Sequence, residues 1–264
     1  MAAVQDRAPL GTLLRDWRQR RRLSQLDLAL EAGVSARHLS FLETGRSKPS
    51  RQMVLHLAEE LDVPLRERNR LLLAAGYAPA FAERTIDAPE MEPVRRALNL
   101  VLGGHEPFPA LVVDRWWNLV SANRAVAPLT SGVAPALLEP PANVLRLSLH
   151  PDGLAPRIAN LGEWRAHLLD RLRREVALTA DPALAELLEE LTAYPGGEPF
   201  RLHGDGPGIA VPLRVRAGTA ELSFLSTIAT FGTAVDVTLA ELSIEAFFPA
   251  DAATAQALRA LPLT

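Results

Sequence analysis

Along the first third of the chain, apolar residues recur at spacings of three and four, and a glycine or a capping residue marks each break. Pro9 to Arg22 (PLGTLLRDWRQRRR) sets Leu10, Leu13, Leu14 and Trp17 on one face, which predicts a first helix with Trp17 in the core. Ser24 is a natural N-cap for a second helix, in which Leu26, Leu28, Ala29 and Leu30 supply the apolar side. Ala29 leaves room there for a steeply crossing neighbour. Gly33 closes this helix, because the turn needs φ > 0 without a Cβ penalty, and Val34 plugs the corner. Ser35 caps a third helix whose Leu39 and Leu42 turn inward, leaving Ala36, Arg37, His38 and Ser40 on other faces. Ser50 caps a fourth helix through Leu61, Val63 and Pro64 break it, and Leu65 to Ala75 forms a fifth, ended by Gly76.

Two short helices joined at a steep angle form a helix-turn-helix, whose second helix fits the DNA major groove. The small residue Ala29, the turn residue Gly33, the apolar Leu39 and the exit sequence LETGRSKPS resemble the Xre/Cro class of regulators, typified by the lambdoid phage repressors. The resemblance implies a five-helix, lambda-repressor-like domain over residues 9–76. It also implies a partly buried pair between Arg18 and Glu43, and a phosphate contact by Gln25 at the start of helix two, helped by the helix dipole. Arg37 is the main candidate for base readout, since a guanidinium from the first turn of the recognition helix can donate two hydrogen bonds to guanine O6 and N7. Ser35 and Ala36 flank it, with Ala36 suited to a thymine methyl, while His38 and Ser40 reach a base or a phosphate. Arg46, Ser47 and Lys48, just past the helix, have the chemistry of backbone clamps.

Beyond the helical head the pattern changes. Residues 78–93 (APAFAERTIDAPEMEP) are rich in proline, alanine and acid and read as a linker between a domain at 1–77 and a second at 94–264. In the second, MEPVRRALNLVL is helical, ALVVD and RWWNLVSAN read as strands turning at Asp114 to Trp116, and ANVLRLSL and LGEWRAHLLDRLRREVAL are helical. Asp181 and Pro182 start another helix as N-cap and first residue. GGEPF and GDGPG then read as turns, followed by three β-rich stretches, IAVPLRVR, TAELSFLSTIATF and LAELSIEAFF, and a last helix, DAATAQALRAL. Most strands lack a crossover helix, so the class is α+β with an antiparallel sheet of about five strands.

The segments VVDRWWNLVSAN, NVLRLSLHPD and EWRAHLLDRLRREV are similar to the MmyB-like ligand-binding domain of actinobacterial Xre regulators, over about Met91 to Leu261. Where that family has a Phe-x-x-Pro segment, this chain has Leu149, His150 and Pro151. The resemblance implies a PAS-like fold holding a small, lipophilic, fatty-acid-like effector. Candidate ligand contacts are Trp116, Trp117, Asn118, Asn123, Trp164, Leu168, Arg171, Phe224 and Phe231, although large apolar side chains serve equally as core. Arg165 or Arg171 would meet a carboxylate or phosphate only if turned inward from the long helix.

Charge supports this division. The 264 residues carry a net charge of −3, yet Met1 to Ala78 holds 13 basic and 9 acidic residues against 15 and 22 beyond. Arg7 to Arg51 alone holds 10 basic and 4 acidic residues, the local positive field expected where phosphates are met. One basic head on an acidic body suits a regulator touching DNA at one end. Cysteine is absent, and the chain shows neither a signal peptide nor a uniformly apolar run long enough to span a membrane, so the expected setting is the cytoplasm, at the nucleoid. No G-x-S-x-G, Walker or H-E-x-x-H motif occurs, and six histidines are scattered without ligand spacing; the expectation is no catalysis, no metal and no cofactor. One such head contacts only a half-site, so a homodimer on a palindromic double-stranded operator is expected.

Overall fold

Five helices build the first of two units in the computed structural model, which describes residues 8–196, 211–218, 220–232 and 234–260. The units are Met1–Arg84 with Thr233–Ala240, and Thr85–Gly232 with Glu241–Thr264. In the first, α1 (Leu10–Arg20), α2 (Gln25–Glu31), α3 (Ala36–Glu43), α4 (Arg51–Glu60) and α5 (Leu65–Ala74) enclose Leu14, Trp17, Leu28, Leu39, Leu42, Leu57 and Leu72. Serine caps act as the sequence predicts. Ser35 Oγ accepts from the His38 N–H at 3.1 Å and Ser50 Oγ from the Met53 N–H at 3.2 Å. Ser24 goes further: its hydroxyl accepts from the Asp27 N–H while the Asp27 carboxylate accepts from the Ser24 N–H, a reciprocal capping box. Gly33 takes φ 62°, and the Val34 N–H returns to the Ala29 carbonyl at 2.9 Å, closing the turn.

Two expectations change here. Leu28 and Ala29 are buried, but Leu26 and Leu30 are 59% and 73% exposed, because a seven-residue helix packed on one side cannot bury positions i and i+4 of its opposite face. The linker expected at 78–93 also starts later, since residues up to Arg84 fold onto the helices. Asn69 accepts from the Ala80 and Phe81 N–H groups and donates to the Phe81 carbonyl, and Arg66 pairs with Glu83 at 2.6 Å. The unit is completed by a later stretch ending in a one-turn helix, Val237–Ala240. Its Asp236 accepts from the Thr238 N–H and pairs with Arg84 at 2.7 Å.

α1 crosses α3 at Gly11, where a Cβ would stand 2.8 Å from the Leu42 carbonyl oxygen and 2.7 Å from the Glu43 carbonyl carbon. Backbone cannot yield as a flexible side chain does. Gly11→Ala is therefore expected to cost about 2 kcal/mol, lowering the thermal midpoint followed by circular dichroism; an unchanged midpoint would show that α1 can shift at no cost.

The second unit is α+β. It contains α6 (Glu92–Gly104), β1 (Ala110–Val113), β2 (Leu119–Ala122), α7 (Ala127–Thr130), α8 (Pro135–Leu138), α9 (Val144–Leu149), α10 (Leu161–Thr179), α11 (Pro182–Ala193), β3 (Leu213–Ala217), β4 (Ala220–Thr230), β5 (Ser243–Pro249) and a closing helix, Ala252–Ala260. The five strands form one antiparallel sheet in the order β2-β1-β5-β4-β3, with Leu111 opposite Glu245 and Phe224 between Leu213 and Pro249. RWWNLVSAN is strand only from Leu119. The Asp114 carboxylate accepts from the Trp116 and Asn118 N–H groups, and Trp117 sits at φ 67°, so the turn runs to Asn118. LAELSIEAFF likewise divides, because Asp236 accepts from the Thr238 and Leu239 N–H groups and holds Val237–Ala240 helical before β5 begins at Ser243. α7 and α8, each one turn long, are too short for periodicity to reveal. GDGPG at 204–208, most of GGEPF, and His203 lie outside the described residues.

Candidate functional site

In the helical unit, the end of α3 is fixed by a charge network whose members come from three helices. Arg18 donates from Nε and Nη2 to the two Glu43 oxygens, at 2.6 and 2.9 Å, and from Nη1 to the Leu23 carbonyl at 2.8 Å. Gln25 Nε2 donates to Glu43 at 2.8 Å, and Arg15 stands 3.5 Å away. Burial alone would push the Glu43 carboxyl up, but hydrogen bonds from Arg18 and Gln25, with the charges of Arg18 and Arg15, outweigh it and hold the carboxyl below its ordinary value. Gln25, assigned to a phosphate by resemblance, here spends one amide N–H inside the protein and retains a second donor.

The network presents the start of α3 outward. Arg37 is exposed, with its guanidinium 5.3 Å from the Phe41 ring one turn on, while Ala36, His38 and Ser40 are half-buried and Ser35 is the cap. Past the helix, the Arg46 and Ser47 N–H groups return to the Phe41 carbonyl at 2.8 and 3.2 Å, which fixes the path of the exit loop. Arg46 and Lys48 project from it exposed, Lys48 beside the Tyr77 ring at 5.7 Å. Arg21, by contrast, caps the end of α4 through the Leu61 and Asp62 carbonyls, so part of the arginine-rich stretch serves the fold.

The second unit holds a cavity of about 290 Å³ between one face of the sheet and helices α7, α9 and α10. Its walls are mainly apolar: Leu111, Leu119, Leu213 and Phe247 from the sheet, Val126 just before α7 and Leu129 within it, Leu145 from α9, Trp164 and Leu168 from α10. Most of its polar groups are engaged in the fold. Asn123 accepts from the Ala110 N–H and donates to the Leu102 and Phe108 carbonyls, Ser148 Oγ accepts from the Trp164 indole at 3.0 Å, and Thr130 donates to the Ala127 carbonyl. Glu245 is the remaining polar wall residue among those described, and it is 6% exposed. Burial pushes its carboxyl up, with the Arg171 charge and a Ser226 hydrogen bond opposing.

Of the sequence candidates, Asn123, Trp164 and Leu168 meet at this cavity, whereas the others lie elsewhere. Trp117 is core, its indole donating to Glu175 at 2.8 Å, and Arg171 stacks on it at 4.1 Å between Glu175 and Glu245. Trp116 and Asn118 border a shallow surface groove, with Trp116 held by Arg115 and Asp181. Phe224 is fully buried against Phe247, and Phe231 is half-buried just after β4. Arg165 turns to the last carbonyls of α11, including Thr192 at 2.7 Å. Glu245 was missed, although a signal existed: in SIEAFF it sits two residues before Phe247, so a strand puts both on one face.

No group of histidines and carboxylates that could hold a metal occurs among the described residues, and no described helix is long and apolar enough to cross a membrane. Residues 94–261 match the MmyB-like transcription regulator ligand binding domain, and residues 14–68 match a helix-turn-helix family. The HTH-type transcriptional regulator Rv0023 of Mycobacterium tuberculosis is 38% identical over 108 residues, 40% of this chain and 42% of that protein. RghRB of Bacillus subtilis, also named an HTH-type transcriptional regulator, is 36% identical over 115 residues, 42% of this chain and 81% of its own length. The chain thus spans about two fifths of the mycobacterial relative's length. A capped, cation-bearing helix-turn-helix joined to a sheet-and-helix unit matched over 94–261 makes this chain a member of the DNA-binding helix-turn-helix transcriptional regulators that carry an MmyB-like ligand-binding domain.

Proposed function

We propose that this regulator reads a palindromic operator as a homodimer, with Arg37 as the principal base reader, and that a small lipophilic effector held in the cavity of the second unit alters its DNA affinity. The observation that carries the reading is the cavity itself: about 290 Å³, walled by leucine, valine and aromatic side chains, in the unit that matches a ligand-binding family. Support for the DNA half is the exposed Arg37 on the first turn of a capped α3, with Arg46 and Lys48 exposed beyond its end. A dimer would give two such helices the spacing of adjacent half-sites. Ser35, Ala36, Arg37, His38 and Ser40 would then face the groove, and Gln25 and Ser47 the phosphate backbone.

The operator can be selected from a random duplex library and binding followed by fluorescence anisotropy. Arg37→Ala is expected to weaken operator binding by about 1–3 kcal/mol while leaving random DNA nearly unaffected. Lys48→Ala is expected to weaken both and to lower the salt slope by about one. Equal losses on both duplexes for Arg37→Ala would remove it as the base reader. Operator affinity indifferent to every lipophilic probe would leave the second unit without its sensing role.

A further inference from the structure

We propose that the apolar flank of α6 is the surface on which a second copy of this chain docks, its own α6 running antiparallel to the first. The inference deepens the homodimer reading above and rests on it. α6 buries Leu98 and Leu102 within its own unit, yet Leu100 is 77% exposed and Val101 50%. Around the helix, Pro93, Ala97, Leu100, Val101 and Gly104 share one flank, the i, i+4, i+7 pattern of a helix with an apolar partner. The patch continues onto the sheet. His105, one turn after Val101, sets its ring edge-on to Phe248 at 4.7 Å, and the exposed Phe248 stands opposite the exposed Leu225 of β4. Gly104 is an independent sign of a covering neighbour. No atom lies within 4 Å of the place its Cβ would occupy, so the packing of its own chain does not call for glycine. Glycine is costly inside a helix, and the space it leaves suits the close approach of another backbone.

The occupant follows from the symmetry and the charge of this flank. About a twofold axis passing between Leu100 and Val101, Leu100 of one copy lies opposite Val101 of the other, and Ala97 opposite Gly104. Large groups then meet at the centre and small ones at both ends. Such a flank is complementary to itself, which is what a twofold interface requires. Charge fixes the direction. Glu92, Arg95 and Arg96 lie in the N-terminal half of α6, and Ala97 to Gly104 carries no charge. Antiparallel helices place Arg96 of one copy beside the negative C-terminal end of the other, a favourable dipole contact. Parallel helices would set Arg96 against Arg96. With 13 residues α6 is about 20 Å long, so the contact belongs to the small end of stable interfaces. Adjacent half-sites on one duplex raise the effective concentration of the second copy and strengthen it.

The test uses the full chain, alone and on the selected operator, with mass measured by analytical ultracentrifugation. Self-association is expected, tighter on the operator. Leu100→Arg should weaken it at least about a hundredfold, because each dimer loses two leucines from its centre and gains two facing cations. Leu178→Arg, at a leucine 51% exposed on α10, should leave it unchanged. Both positions face solvent in the single chain, so the circular dichroism midpoint should hold in each variant. Because the chain has no cysteine, crosslinking reads the direction of the helices. Ala97→Cys combined with Gly104→Cys should give a disulfide-linked dimer under mild oxidation. Neither single variant should link, since like positions on antiparallel helices stand seven residues, about 10 Å, apart along the axis. Dimerisation unchanged in Leu100→Arg overturns the surface and leaves the homodimer reading intact. Single cysteine variants that link as readily as the double variant would mean parallel helices and also overturn it. A chain that stays monomeric both alone and on the operator would remove the homodimer reading and this inference together.

Discussion

Glu43→Gln is expected to destabilise the helical unit by about 3 kcal/mol at neutral pH, the usual cost of breaking one side of a buried ion pair. The Glu43 side chain is fully buried, and it accepts two hydrogen bonds from Arg18 on α1 and one from Gln25 on α2 while itself ending α3. A neutral amide leaves the Arg18 guanidinium, also largely buried, without its counter-charge. The sign of the pH dependence follows from a folded-state carboxyl held below its ordinary value of 4.5. The contribution of this group is complete above 4.5 and is lost as pH falls through the lower folded-state value. The gap between wild type and Glu43→Gln should thus be widest at neutral pH and close on acidification. Hydrogen exchange at the amides of α1 and α3, read against pH, measures it locally. A gap of the same size at every pH would assign the loss to packing and remove the charge from the explanation. Replacing both partners with apolar residues, Arg18→Met with Glu43→Leu, should recover much of the loss, since no charge is then left unpaired.

Phe224→Ala should destabilise the second unit by about 3–5 kcal/mol, the range for removing a fully buried aromatic side chain. Phe224 is 0% exposed in the middle of the sheet, with its ring edge-on to Phe247 at 6.3 Å. Because Phe247 is a wall of the cavity, the void left behind adjoins that cavity without being part of it. Urea unfolding followed by tryptophan fluorescence reports the loss, as Trp117 and Trp164 are both buried in this unit. A ligand contact would behave differently: its removal would alter probe binding with stability nearly intact. Stability unchanged in Phe224→Ala would contradict a core role.

Much of the head was legible because its signals are local. A serine cap acts on an N–H three residues away, a helical face repeats every three or four residues, and Gly33 serves one turn; the five helices, their caps and the exposed start of α3 follow from neighbours in the chain. Leu26 and Leu30 escaped this logic, since their pattern matches an inward face and only the short span of α2 and its one-sided packing leave them in solvent. The Arg18–Glu43 pair, 25 residues apart, came from family likeness, with nothing local to mark it.

The cavity lies at the other extreme. Its residues come from β1, β2, β3, β5, α7, α8, α9 and α10, a set joined by sheet order and helix packing, and no spacing in the chain carries that arrangement. Composition marked Trp117, Phe224 and Arg171 as ligand contacts because large apolar and cationic side chains suit ligands. Packing used the same properties otherwise, placing Trp117 and Phe224 in the core and setting Arg171 between Glu175 and Glu245. The sequence by itself therefore determined the helix-turn-helix, its charge and the α+β class, all set by interactions within a turn or two of chain. Only the tertiary structure decided which polar group faces the cavity, because the environment of Glu245 is made by Leu111, Arg171 and Phe247, brought together by long-range strand pairing and by the packing of α10.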